Sequence, residues 1–132
     1  MIVVDTSVWI DYFNGIHNAS ADKLHELLSR QVLSVGDLIY CEVLQGFRSD
    51  AAFDAARNAL DTLHKVEMLG FIAARRAAER YRVLRKKGVT IAKANDMLIA
   101  SACIDLGAEL LHNDGDFDLI GRHLPLVIVK CM

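Results

Sequence analysis

The residues with the most chemistry in this chain are acids. Their densest group is Glu109-Leu-Leu-His-Asn-Asp-Gly-Asp-Phe-Asp118, a short apolar run that breaks into aspartates at 114, 116 and 118. Two unit charges ~4 Å apart repel by ~1 kcal/mol in bulk water and by ~4 kcal/mol at an effective dielectric of 20, so such a group is either given to solvent or arranged around a cation. An acidic turn is the plain explanation, because Asp and Gly favour turns and Asp118 is able to cap a helix turn. A calcium loop shares the opening spacing but then needs Gly and, at its last position, Glu, where this chain has Leu119 and Pro125.

Three further acids, Asp5, Glu42 and Asp96, fall at comparable structural positions in distant segments. Each has a local explanation: a cap, a solvated helix acid, and a first-turn acid favoured by the helix dipole. Gathered together they would repel unless something positive sat between them. A donor set of oxygens, with no Cys and no obligatory His, selects magnesium or manganese over zinc or copper. Such an ion lowers the pKa of bound water, orients it for in-line attack and offsets charge on a phosphate, so the chemistry would be phosphodiester hydrolysis.

The elements that must position these acids are legible from periodicity and punctuation. Ile2-Val-Val is a short β-branched run ending at Asp5, and Thr6 or Ser7 is the expected cap of a helix carrying Val8, Trp9, Ile10 and Phe13 before Gly15. A helix with Leu24, Leu27 and Leu28 leads to a second strand at Val32–Val35. Asp37 is the expected N-cap of the next helix, which runs to about Gly46 and carries Glu42. Asp50 starts a helix with Phe53, Ala56, Leu60 and Leu63 on one face, and Val66–Leu69 is read as a third strand. The longest helix, from about Phe71 to Lys87, turns Ala74, Ala77, Ala78, Tyr81 and Leu84 inward. Asn95 is the expected N-cap of an apolar helix that places Asp96 in its first turn and ends at Gly107. Leu110-Leu111 and Leu126–Val129 complete the strands.

Strands alternating with helices predict an α/β domain, a three-layer α/β/α sandwich with a mainly parallel central sheet. Ligands of such sheets lie beyond the carboxyl ends of the strands, the edge to which Asp5, Glu42, Asp96 and Asp114 are all sent.

Ile2-Val-Val-Asp5-Thr-Ser7, Glu42 followed shortly by Gly46, Asn95-Asp96-Met-Leu-Ile-Ala100 and Asn113-Asp114-Gly-Asp116-Phe117, in this order and spacing, resemble the PIN-domain ribonucleases, and most of all the VapC toxins of prokaryotic toxin–antitoxin pairs. The resemblance covers nearly the whole chain. It implies an endoribonuclease dependent on Mg2+ or Mn2+, with Asp5, Glu42, Asp96 and Asp114 as the acidic quartet and Asp116 as an acid that sometimes joins the metal sites. It also implies that Thr6 or Ser7 steadies the first aspartate; Asn113 and His112, next to Asp114, are read as supporting residues. His112 departs from the pattern, since relatives often have Thr or Ser there; it could hydrogen-bond a neighbouring carboxylate or phosphate. The resemblance further implies a homodimer silenced by a cognate VapB-type antitoxin.

Length and charge agree with that class. A chain of 132 residues is the size of one domain (residues 1–132), and a net charge of −2 argues against holding nucleic acid by bulk charge. The charge is nonetheless lopsided: Arg75, Arg76, Arg80, Arg82, Arg85, Lys86, Lys87 and Lys93 are eight of the 15 basic residues. A solvated helix face is their default reading; the functional one is that Arg85, Lys86 and Lys93 guide the RNA backbone toward the acids. No apolar run is long enough to span a bilayer and Asp5 interrupts any opening signal segment, so a cytoplasmic protein is expected. Cys41, Cys103 and Cys131, odd in number and widely spaced, are read as reduced packing residues.

Three other classes fit the residues less well. A phosphorelay receiver domain, also α/β with acids and magnesium, needs an acid next to Asp5, a phosphoacceptor after the third strand and a Lys after the fifth, and the chain lacks all three. A haloacid-dehalogenase-type phosphatase needs Asp where Ser7 stands. A PIN-like domain that binds RNA or a partner without cutting is opposed by the complete quartet.

Overall fold

The structure is a computed structural model that describes residues 1–131. Its elements in order are β1 (Ile2–Val4), α1 (Thr6–Phe13), α2 (Ala19–Leu28), β2 (Leu33–Gly36), α3 (Asp37–Gln45), α4 (Asp50–Asp61), β3 (His64–Val66), α5 (Phe71–Lys86), α6 (Ala94–Leu106), β4 (Glu109–Leu111), α7 (Gly115–His123) and β5 (Val127–Ile128). The five strands form one sheet in the order β3-β2-β1-β4-β5, and every pairing is parallel.

Successive strand residues point to opposite faces. In β1 both Val3 and Val4, and in β4 both Leu110 and Leu111, are fully buried. Both faces of the sheet centre are therefore covered, which gives the three-layer sandwich and explains why these strands read as unbroken apolar runs. The chain builds outward from β1 to β2 and β3, then returns to add β4 and β5 on the other side. That reversal puts the topological switch point between β1 and β4, and the crevice beyond their carboxyl ends is where such sheets bind ligands.

Several expectations are corrected. The third strand is His64–Val66, not Val66–Leu69. It is an edge strand with a polar, exposed sequence, and of the apolar residues after it Met68 plugs the core while Leu69 stays exposed. Met68 is buried against Gly36, where an added Cβ would lie 2.2 Å from its Sδ. Asp37 is not the N-cap of α3; Gly36 takes that position, and Asp37 Oδ1 accepts from Leu38 N (3.0 Å) and Met68 N (2.7 Å), pinning that plug. Asn95 is not the cap of α6 either, because the helix begins at Ala94 with Lys93 before it, and α1 already begins at Thr6, which puts Asp5 and neither Thr6 nor Ser7 at its N-cap.

On α5, Ala77 and Leu84 are buried, but Ala74 and Ala78 are exposed. They line a groove of about 500 Å3 against α6, together with Tyr81, Met97 and Leu98. Arg80 clamps the same two helices, donating to Ser101 O (3.1 Å), Ser101 Oγ (2.6 Å) and Asp105 Oδ1 (2.8 Å). The apolar helix α6 buries residues on all sides, among them Met97, Ile99, Ala100, Ala102 and Cys103, as a helix without a polar face must. Gly107 ends it at φ +64°, the left-handed conformation in which glycine carries no steric penalty. Cys103 is a packing residue, whereas Cys41 is exposed and Cys131 half-buried. Among the described residues no helix is long and apolar enough to cross a membrane.

Candidate active site

A cleft of about 450 Å3 opens at the carboxyl edge of the sheet, lined by Asp5, Thr6, Ser7, Glu42, Lys93, Asn95, Asp96 and Asp114, with Ile10 and Ala94. Four acids from α3, α6 and the ends of β1 and β4 thus share one surface, with Lys93 the one cation among its described lining residues. Asp116 does not line it, although its charge acts on Asp96.

Asp5 follows β1 directly, and its amide donates to Leu111 O (2.9 Å), which ties it to the neighbouring strand. Ser7 Oγ lies 3.0 Å from Asp5 Oδ2 and 2.7 Å from Asn113 Oδ1, and its single proton serves both acceptors. Asn113 Nδ2 donates in turn to Asp11 Oδ2 (3.2 Å), which also accepts from Asn18 Nδ2 (3.0 Å). A chain of side-chain bonds therefore runs from the cleft to the start of α2.

Glu42 sits mid-helix and is held at both oxygens: Thr6 Oγ1 donates to Oε1 (2.8 Å) and Asn95 Nδ2 to Oε2 (3.0 Å). The two hydroxyls that sequence reading left as alternatives thus divide the work, Ser7 steadying Asp5 and Thr6 steadying Glu42. Asn95 and Asp11 are the participants that sequence reasoning missed. Asn before an apolar helix reads locally as a cap, and Asp11 reads as a solvated helix acid.

Asp114 caps α7 by accepting from Asp116 N (3.0 Å). The buried His112 beside it accepts from Asp114 N at Nδ1 (3.0 Å) and reaches Asp118 Oδ1 with Nε2 (3.1 Å). Asp118 is therefore the partner of His112 and not a cap.

The electrostatics are those of crowded carboxylates. Burial pushes Asp5 above its usual range and the charge of Glu42 adds to this, while the Ser7 hydroxyl and the amides of Thr6 and Ser7 oppose it. Asp96 is pushed up to about 6, first by burial and then by the charges of Asp5, Asp114 and Asp116, with Lys93 pulling the other way. Its Oδ2 is buried without any hydrogen-bond partner. A buried carboxylate oxygen left so costs free energy that a cation would restore. Among the described residues no three His, Cys, Asp or Glu side chains close tightly enough to grip an ion as they stand. The donor set suits a hard divalent ion that keeps several of its own waters.

Of the expected RNA contacts, Lys93 lines the cleft. Arg85 lines the α5–α6 groove and lies over the Tyr81 ring at 5.8 Å. Lys86 is exposed. The groove and the cleft meet at Ala94, which lines both. Arg76 and Arg80 are instead engaged with Asp105, whose carboxyl the Arg80 hydrogen bond holds below the usual range.

A parallel sheet of this order with acids at its switch point defines the class, and the family model described as PIN domain matches residues 2–122. Ribonuclease VapC11 of Mycobacterium tuberculosis and VapC ribonuclease Mb1587 of Mycobacterium bovis are each 34% identical to the chain over 124 residues, 92% of both chains. The crystal structure of VapBC2 from Rickettsia felis, bound to a DNA fragment from its promoter, superposes with a TM-score of 0.75 at 19% identity, covering 98% of each chain. The chain therefore belongs to the PIN-domain family, in its VapC ribonuclease branch. Ribonucleases of this branch generally depend on a divalent metal ion.

Proposed function

We propose that this chain is an endoribonuclease toxin of the VapC type, hydrolysing RNA phosphodiester bonds at the acidic cleft with Mg2+ or Mn2+. The observation that carries the reading is the convergence of Asp5, Glu42, Asp96 and Asp114 on one crevice, with Asp96 buried, raised in pKa and left with a free oxygen. Asp5, Asp96 and Asp114 are the residues that would hold the ion, with Asp116, outside the cleft lining, adding its charge to theirs. When bound, that ion supplies Lewis acidity, lowering the pKa of a water and neutralising phosphate charge.

The chain's own residues prepare the rest. Glu42 uses one lone pair of each oxygen on Thr6 and Asn95, and a carboxylate accepts about four hydrogen bonds, so it retains capacity to orient a water and take its proton. Ser7 and Asn113 keep Asp5 in place. Lys93, with Arg85 and Lys86 farther along α5, draws the RNA backbone to a crevice that would otherwise repel it. In the hydrolysis a water oxygen bonds to phosphorus as one ester P–O bond breaks, and the released oxygen ends with a proton.

The same reading gives the chain a VapB-type antitoxin as partner, a homodimeric state and a cytoplasmic location. Phe71 and Ile72, 96% and 63% exposed at the start of α5, support protein contacts on that side, because apolar side chains so exposed are normally covered. The test is cleavage of a mixed RNA by purified protein with Mg2+ or Mn2+, its arrest by chelator, and its loss in Asp5→Asn with the circular dichroism spectrum unchanged. Full activity in that variant overturns the site.

A further inference from the structure

We propose that His112 is a positioning residue that separates two aspartates of the stretch after β4, fixing Asp114 at the cleft and taking Asp118 away from it. The proposal rests on the reading of the cleft as a metal-dependent nuclease site and adds to it the device that decides which acid of a crowded stretch faces the metal.

Asp114, Asp116 and Asp118 lie at alternate positions, yet only Asp114 lines the cleft. For Asp114 and Asp118 the imidazole accounts for the difference. Its Nδ1 is occupied by the Asp114 amide proton, so the ring hydrogen must be on Nε2, and that tautomer is the one able to donate to Asp118. The ring itself is held firmly. Its side chain is 5% exposed, it packs on Phe117 with centroids 5.2 Å apart, and the His112 carbonyl accepts from Ser20 Oγ (3.1 Å). Asp114 is consequently tied at two points, its amide by His112 and its carboxylate by the Asp116 amide. Removing the Nδ1 acceptor leaves a part-buried amide without a partner, and the turn must move to find one. Removing the Nε2 donor instead releases Asp118 and leaves Asp114 tied.

Two substitutions separate these bonds. His112→Asn keeps an acceptor at the δ position and has nothing at ε; His112→Gln keeps a donor at ε and has no acceptor at δ. In metal-free, full-length protein, hydrogen exchange of the Asp114 amide is expected to be slow in the wild type and in His112→Asn and roughly tenfold faster or more in His112→Gln. Calorimetric titration with Mn2+ is expected to show affinity weakened on the order of 10- to 100-fold in His112→Gln and by much less in His112→Asn. Equal Asp114 protection in wild type and His112→Gln overturns the proposal, as does Mn2+ affinity in His112→Gln matching the wild type. Equal losses in both variants also overturn it, because ring volume and not its bonds would then be the cause. If the wild type binds no Mn2+, the metal-site reading falls, and the exchange pattern still decides whether His112 holds the turn.

Discussion

Asp96→Asn should make the metal-free protein more stable while removing its activity, and the size of the effect follows from the site. In the folded chain Asp96 titrates near 6 against an ordinary 3.8, so its proton is held more tightly folded than unfolded. The stability this proton contributes is full below pH 3.8 and is lost as pH rises through about 6. Two pKa units set an upper bound of about 3 kcal/mol when the group is fully ionised, part of it screened by solvent in the open cleft, and about half develops between pH 5 and pH 8. The raised Asp5 adds to the loss in the same direction. For a chain of this size each kcal/mol moves the melting temperature by roughly 3–5 °C, so the variant should melt up to about 10 °C above the wild type at pH 8. The gap should narrow by about half at pH 5. Thermal unfolding followed by circular dichroism in chelator, for both proteins across that range, measures it directly. Adding Mn2+ should raise the wild type toward the variant and leave the variant where it is. A wild type whose melting temperature is flat from pH 5 to 8, with Asp96→Asn melting no higher, would refute the account of Asp96 as a strained carboxylate.

Three other perturbations test separate parts of the structure. Asn95→Ala frees one oxygen of Glu42 and should lower the cleavage rate on the order of 10- to 100-fold, as loss of a supporting hydrogen bond does, with the melting temperature nearly unchanged. Replacing Arg85 and Lys86 by Glu should weaken RNA binding and flatten its dependence on salt by about 1.4 in the log–log slope if both residues meet phosphates, measured by fluorescence anisotropy at several salt concentrations; an unchanged slope counts against that path. Gly36→Ala drives a methyl into buried Met68 and should cost roughly 1–3 kcal/mol in denaturant unfolding, the usual penalty of overpacking a core.

How far the site could be read beforehand depended on whether each residue carried a local signal. Asp5, Asp96 and Asp114 did, because each sits where an apolar run stops or a helix begins, and the sheet sends those places to one edge. Glu42 carried none in its own surroundings; mid-helix acids are common, and only its rank among four motifs singled it out. Asn95 was misplaced because an amide before an apolar helix satisfies the local rule for a cap. Its actual partner, Glu42, is 53 residues away. The third strand was placed too far along the chain for a related reason. An edge strand is held by main-chain pairing to β2, so His64 and Lys65 need no apolar character, while the apolarity that drew attention belongs to a plug fixed by Asp37. On α5 the periodicity found the correct face, but exposed Ala74 and Ala78 show that a face can be apolar without being covered by its own chain.

The pairing of β1 with β4 joins segments far apart along the polypeptide, with Ile2 opposite Glu109 and Val4 opposite Leu111. No nascent fragment that stops short of that second strand can bring Asp5 and Asp114 to one crevice. Contacts of such long range form slowly, so the crevice waits on the docking of β4 and not on any local helix. A chain cut before that strand carries Asp5 without its partner acid and has no site.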